Sequence, residues 1–200
     1  EAVLCYKKAA KQEFAPAQYN LGVRYFEGQG IPQDYEEALK WFFKAAEQGV
    51  VQAQSNLGAM HCKGWGTSKN FKKAVNWYRK AAEQWDPKAQ HNLGVMYTKG
   101  RGVSQDFEEA VSWYRKAANQ GYASAQNNLG SMYRRGQGIT RDLKEAVEWY
   151  RKAAEQKNSL AQNNLGVIYS QGRGVTKDNV YAHMWMDIAA INGRANAVRN

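Results

Sequence analysis

Few residues in this chain could carry catalytic chemistry: three histidines, His61, His91 and His183, and two cysteines, Cys5 and Cys62. A nucleophilic site needs a thiol or hydroxyl within hydrogen-bond reach of a base, and a metal site needs several converging ligands. His61 and Cys62 are adjacent, but residues i and i+1 on a helix point to different faces. The cysteines have neither the number for a disulfide framework nor the spacing of a metal site. Each reads as a small apolar packing residue on a helix. Carboxylates recur three residues apart, as Asp34 with Glu37, Asp106 with Glu109 and Asp142 with Glu145. Each pair opens an amphipathic stretch, which is the capping-box spacing, so the pairs predict helix caps rather than general acids and bases. Asn70 keeps the cap with Lys73 three residues on, and Asp178 keeps it with Tyr181. Paired glycines such as Gly100 and Gly102 do not form a phosphate loop, since no strand precedes them and the third glycine is missing. The sequence therefore predicts no catalytic set, no metal site, no cofactor and no enzyme.

The elements that position these residues follow from an internal repeat. Ala17–Gly22, Ala53–Gly58 and Ala89–Gly94 read Ala-Gln-x-Asn-Leu-Gly, as do Ala125–Gly130 and Ala161–Gly166, at a constant spacing of 36 residues. Ala89, Leu93 and Tyr97 stand four apart and form one stripe of a first helix. Mid-helix Gly94 costs about 1 kcal/mol against Ala, so its recurrence in all five copies predicts close approach of a neighbouring helix. Ala110, Trp113, Tyr114, Ala117 and Ala118 match the amphipathic template of a second helix. Repetition at helical spacing makes these aromatics core residues rather than a ligand box. The turn within each unit uses two glycines, and the turn between units uses Gly49, Gly121 and Gly193. Trp85 and Lys157 stand at the equivalent places in the other two, where Asp86-Pro87 and Asn158 supply the next caps.

The predicted fold is all-α: a right-handed superhelical solenoid of stacked antiparallel helix pairs in 36-residue repeats. It forms one repeat domain. Residues 1–13 are the second helix of a partial unit, 14–49, 50–85, 86–121, 122–157 and 158–193 are five full units, and 194–200 start another. Glu1 opens directly into helical sequence without initiator Met, basic n-region or apolar h-region, which reads as an excised fragment or a processed chain. Hydrophobic residues at 44% suffice for a core, and the 3 prolines are too few for a disordered chain. No stretch approaches the roughly 18 uninterrupted apolar residues of a membrane helix, so membrane insertion is not expected.

The frame Ala…Leu-Gly…Tyr…Gly-x-Gly-Val…Asp…Ala…Trp-Tyr…Ala-Ala…Gly resembles the Sel1-like repeat family, a relative of the tetratricopeptide repeat. The resemblance covers nearly the whole chain. It implies an adaptor or assembly scaffold acting by protein–protein interaction in a bacterial periplasmic or secreted setting, with envelope or host proteins as partners. The last unit, with Met184-Trp185-Met186, resembles the final repeats of bacterial members. The paired cysteines that some exported relatives carry in each unit are missing here. The chain is expected to stack within one monomer.

In the tetratricopeptide manner, first helices would line a concave face. Asn20, Asn56, Asn92, Asn128 and Asn164 recur beside the core stripe there. Four residues on stand Arg24, Met60, Met96, Met132 and Ile168, and three further on Glu27, Lys63, Lys99, Arg135 and Gln171. One reading is a groove with an amide ladder, an adaptable Met strip and a basic margin suited to acidic side chains or a C-terminal carboxylate. The other is that each Asn bonds to the neighbouring repeat and each Met packs between first helices. Tyr19, Ser55, His91, Asn127 and Asn163, which vary beside the ladder, would set specificity. The alternative partner is RNA, to which net charge +10 and pI near 9.5 point. Against it, Lys and Arg alternate with Glu along the second helices, as on a solvated face.

Overall fold

The computed structural model describes the backbone of residues 2–198 and the side chains of residues 2–193. Glu1, Arg199 and Asn200, which fall in the expected partial units, lie outside the described residues. All secondary structure among the described residues is α-helical, in eleven helices. The chain divides into two compact units, Glu1–Gln105 and Asp106–Asn200. The first unit holds α1 (Ala2–Lys11), α2 (Ala15–Glu27), α3 (Tyr35–Glu47), α4 (Val51–Lys63), α5 (Phe71–Glu83) and α6 (Pro87–Lys99). The second holds α7 (Phe107–Asn119), α8 (Ala123–Arg135), α9 (Leu143–Glu155), α10 (Ser159–Gln171) and α11 (Asn179–Val198). Within each unit every helix packs on its neighbours in sequence, so even-numbered first helices alternate with odd-numbered second helices.

The helix starts are local in origin. Asp34 Oδ1 accepts from the amides of Glu36 and Glu37, Asn70 from Lys73, Asp106 from Glu109, and Asp178 from Tyr181. The other half of the capping box takes a different form. The cap residue's own N–H donates to a first-helix carbonyl, as Asp34 to Tyr25, Asn70 to His61, Asp142 to Tyr133 and Asp178 to Tyr169. A reciprocal Glu is therefore not required, which is why Lys73 and Tyr181 occur where Glu was expected.

The mid-helix glycines are there for the aromatic that follows in each repeat. A Cβ on Gly58 would lie 2.5 Å from the Tyr78 ring, and one on Gly22 2.7 Å from Phe42. On Gly166 it would meet Met186, which takes the aromatic's place in the last unit. Phe42, Tyr78, Tyr114 and Tyr150 are accordingly buried, with Leu21, Leu57, Leu93, Leu129 and Leu165 beneath them.

The turn between units tolerates a side chain. A Cβ on Gly49 would meet nothing within 4 Å, so only its φ of +87° favours glycine. Trp85 and Lys157 adopt the same left-handed conformation, with φ of 65° and 62°. Gly193 departs from the expectation of a turn, because α11 runs through it to Val198 as one helix. Gly193 is absent from the positive-φ residues, and the Ala-rich stretch after it contains no proline to stop the helix.

Candidate functional site

The predicted ladder lies on the first helices, α2, α4 and α6 in one unit and α8 and α10 in the other. All five asparagines are half-buried. Asn164 Nδ2 donates to Asn127 Oδ1 at 2.9 Å, and Asn127 Nδ2 donates to Asn128 Oδ1 at 3.4 Å. Tyr19 shares a hydrogen bond with Asn56, again one repeat and one residue further along. Asn92 bonds instead to His91 beside it. The row thus links successive repeats through side chains, and its amides are partly engaged before any ligand arrives.

Three of the candidate residues require correction. Met96 and Met132 are 2% and 4% exposed, and Met60 is fully buried. They pack between adjacent helices, because the position four after the Asn turns back onto the core. Asn127 is 6% exposed, so its amide serves the bonds just described rather than a ligand. His91 is half-buried and its imidazole is held below its ordinary pKa of 6.5, mainly by burial. Lys63, Lys99 and Arg135 are exposed, and none has an ion-pair partner among the described residues.

The repeated glutamine of the Ala-Gln-x-Asn frame had no role assigned from sequence. Gln18, Gln54, Gln126 and Gln162 are buried, and each donates Nε2 to the alanine carbonyl eight residues earlier, at 2.9–3.3 Å. Each also accepts from a residue thirty positions later: Gln48, Gln84, Gln156 or Asn192. Its invariance across all five copies was the available signal.

On α3, α5, α7 and α9 the tryptophan carries a lysine ammonium over its ring. Lys44 covers Trp41, Lys80 Trp77, Lys116 Trp113 and Lys152 Trp149, with centroid distances of 3.9–4.8 Å. The basic residues and aromatics therefore interleave on these helices, because i and i+3 share a face. Trp41, Trp113 and Trp149 are half-buried, and Trp77 is the buried one of the four.

Recesses open beside the ladder in both units. One of about 430 Å³ is lined by Tyr19, Ser55, Asn56, Trp85 and Pro87, among others. Ser55 Oγ is buried there without a partner, and Trp85 is 68% exposed. In the second unit a recess of about 210 Å³ gathers Arg134, Arg141 and Arg173 around Asn164 and Gln171. No group of three or more metal-ligating side chains occurs among the described residues, and both cysteines are free. No helix among them is long and apolar enough to cross a membrane.

Helix pairs stacked at this period, with buried glutamines tying repeat to repeat, define an α-helical repeat solenoid. The Sel1 repeat model matches residues 1–14, 15–50, 51–84, 87–122, 123–158 and 159–193, and the chain belongs to the Sel1 repeat family. It is similar to c5321 of uropathogenic Escherichia coli, a protective antigen with an SLR fold, at 43% identity and a TM-score of 0.91. That match covers 96% of this chain and 41% of the other, so the chain spans about two fifths of its length. A Sel1 repeat protein of Oxalobacter formigenes is 40% identical with a TM-score of 0.85, over 92% of this chain and 75% of that one. Immunity protein Pa5087 of Pseudomonas aeruginosa shares the fold alone, at 24% identity, a TM-score of 0.61 and coverage of 95% and 73%. No curated protein matches. Sel1 repeat solenoids are a general protein–protein interaction fold.

Proposed function

We propose that this chain is a scaffold that binds a partner protein or peptide along its first helices, and that the partner presents carboxylates. Trp85 is the observation that carries this reading. A large aromatic is held 68% exposed in a left-handed backbone conformation that costs about 1 kcal/mol, with little burial in return. It stands at the rim of the recess that contains Tyr19, Asn56 and the unpartnered Ser55 hydroxyl. Exposed aromatics flanked by polar groups are the usual anchors of protein interfaces. The unpaired Lys63 and Lys99 in the same unit supply charge of one sign, and the three arginines near Asn164 repeat it in the other. The relatives are bacterial, and a protein of the bacterial envelope or of a host is the partner proposed.

RNA binding has less support, because bases stack on open aromatic faces and Trp41, Trp77, Trp113 and Trp149 each have a lysine over the ring. The test is affinity capture from envelope and host extracts with the native chain and a Trp85→Gly, Lys63→Glu, Lys99→Glu variant of equal helical content. A protein retained by the native chain and lost by the variant supports the first-helix site. Equal retention by both overturns it. Retention of nucleic acid alone, eluting steeply with salt, would establish RNA instead.

A further inference from the structure

A second cavity of the first unit lies between the second helices α3 and α5, where Leu57 and His61 of α4 also line it. Its volume is about 670 Å³, within the range of ligand pockets. Its origin is a pair of substitutions within the repeat. Elsewhere a cation on the second helix reaches the tyrosine eighteen residues on. Arg79 donates to the Tyr97 hydroxyl at 3.0 Å, Arg115 to Tyr133 at 3.3 Å, and Arg151 is bonded to Tyr169. Lys7 stands 5.7 Å from the centre of the Tyr25 ring. At the remaining place the pair is Phe43 and His61, and no cation bridges the two helices.

Three consequences follow at this site. Phe43 is left 50% exposed, edge-on to Trp77 with ring centroids 5.9 Å apart. His61 is 8% exposed, lines the cavity, and its Nδ1 is buried without a hydrogen-bond partner. Leu39, Leu57 and Trp77 give the cavity an apolar floor, while Lys40, Lys44, Lys73 and Lys80 stand around it. Lys40 and Lys80 lean on Glu37 and Glu47, at 2.7 and 3.5 Å. Lys44 and Lys73 have no carboxylate partner among the described residues.

An apolar floor of this size calls for a large apolar side chain, and Lys44 and Lys73, which lack carboxylate partners, call for carboxylates beside it. We propose that this groove is a docking site for an acidic segment of a partner protein, with an aromatic or aliphatic anchor seated in the cavity against Phe43, Leu57 and Trp77. The inference rests on the reading of the chain as a protein-binding scaffold, but it uses a different face and different residues.

The probe is a fluorescein-labelled peptide, Glu-Glu-Leu-Trp-Glu-Glu, followed by anisotropy against the whole chain. A Phe43→Arg, His61→Tyr variant rebuilds the bridge the other repeats use and therefore keeps the fold. It is expected to weaken the peptide at least tenfold, and Lys44→Glu with Lys73→Glu about as much. Replacing the peptide's Leu-Trp by Ser-Ser, or its glutamates by lysines, should each abolish binding, and Trp85→Gly should leave it unchanged. Binding that survives the rebuilt bridge, or laurate bound in place of the peptide, overturns the proposal. Absence of peptide binding overturns it too, whereas the first-helix reading stands or falls on the capture experiment alone.

Discussion

Asn164 donates its side-chain amide to Asn127 at 2.9 Å, thirty-seven residues earlier, so a residue of one repeat's ladder is tied to the variable position of the repeat before it. Asn127 is 6% exposed, and removing it leaves a half-buried amide without its acceptor. Asn127→Ala should therefore lower stability by about 1 kcal/mol in urea unfolding. A double-mutant cycle with Asn164→Ala should return a coupling of about 0.5–1.5 kcal/mol. Strict additivity would mean that the bond contributes nothing to stacking.

Gly58 and Gly49 separate the two demands a glycine can meet. Gly58→Ala drives a methyl into the Tyr78 ring at 2.5 Å, and Tyr78 is 4% exposed with little room to move. The expected loss is about 2–3 kcal/mol, an overpacking cost. Gly49→Ala meets no neighbour and suffers only from its φ of +87°, so about 1 kcal/mol is expected. Thermal unfolding of both variants should rank them in that order.

Trp85 is the same turn with the penalty already present. Trp85→Gly should raise stability by about 0.5 kcal/mol, the relief of left-handed strain less the extra freedom of glycine in the unfolded chain. A variant that is both more stable and poorer at partner capture would mark Trp85 as kept for binding. A less stable one would show that its ring packs on the chain.

Acid should weaken the fold through two imidazoles, the buried His61 and the half-buried His91. Burial lowers the pKa of His61, with Lys73 adding repulsion, and burial also lowers that of His91. Both folded values lie below the ordinary 6.5, so the unfolded chain binds protons first as pH falls. Stability should be level above about pH 7 and decline below 6.5, until the folded imidazoles are themselves protonated. Urea midpoints from pH 8 to 5 should show this. The Phe43→Arg, His61→Tyr variant should lose the His61 share of the slope and keep that of His91.

Helix positions, the Asp and Asn caps and the glycine turns, that at Gly193 excepted, were legible in the sequence, because each depends on residues within one turn of helix and recurs along the chain. The need for a close neighbour at Gly58 was legible for the same reason, though not that Tyr78 supplies it. What lies across repeats was decided by tertiary structure alone. Met96 and Met132 read as a possible groove wall until packing placed them in the core. The bonds of Asn56 and Asn164 run to residues thirty-seven positions away, and those of the buried glutamines to carbonyls eight before and side chains thirty after. The Phe43–His61 cavity was visible only as two separate departures from the frame. Comparing positions eighteen apart would have joined them, but the reason to compare those positions is the stacking of one helix on the next. Local patterns specify helices because their hydrogen bonds close within four residues. A surface depends on which side chains distant helices bring together, and which partners they leave unfilled.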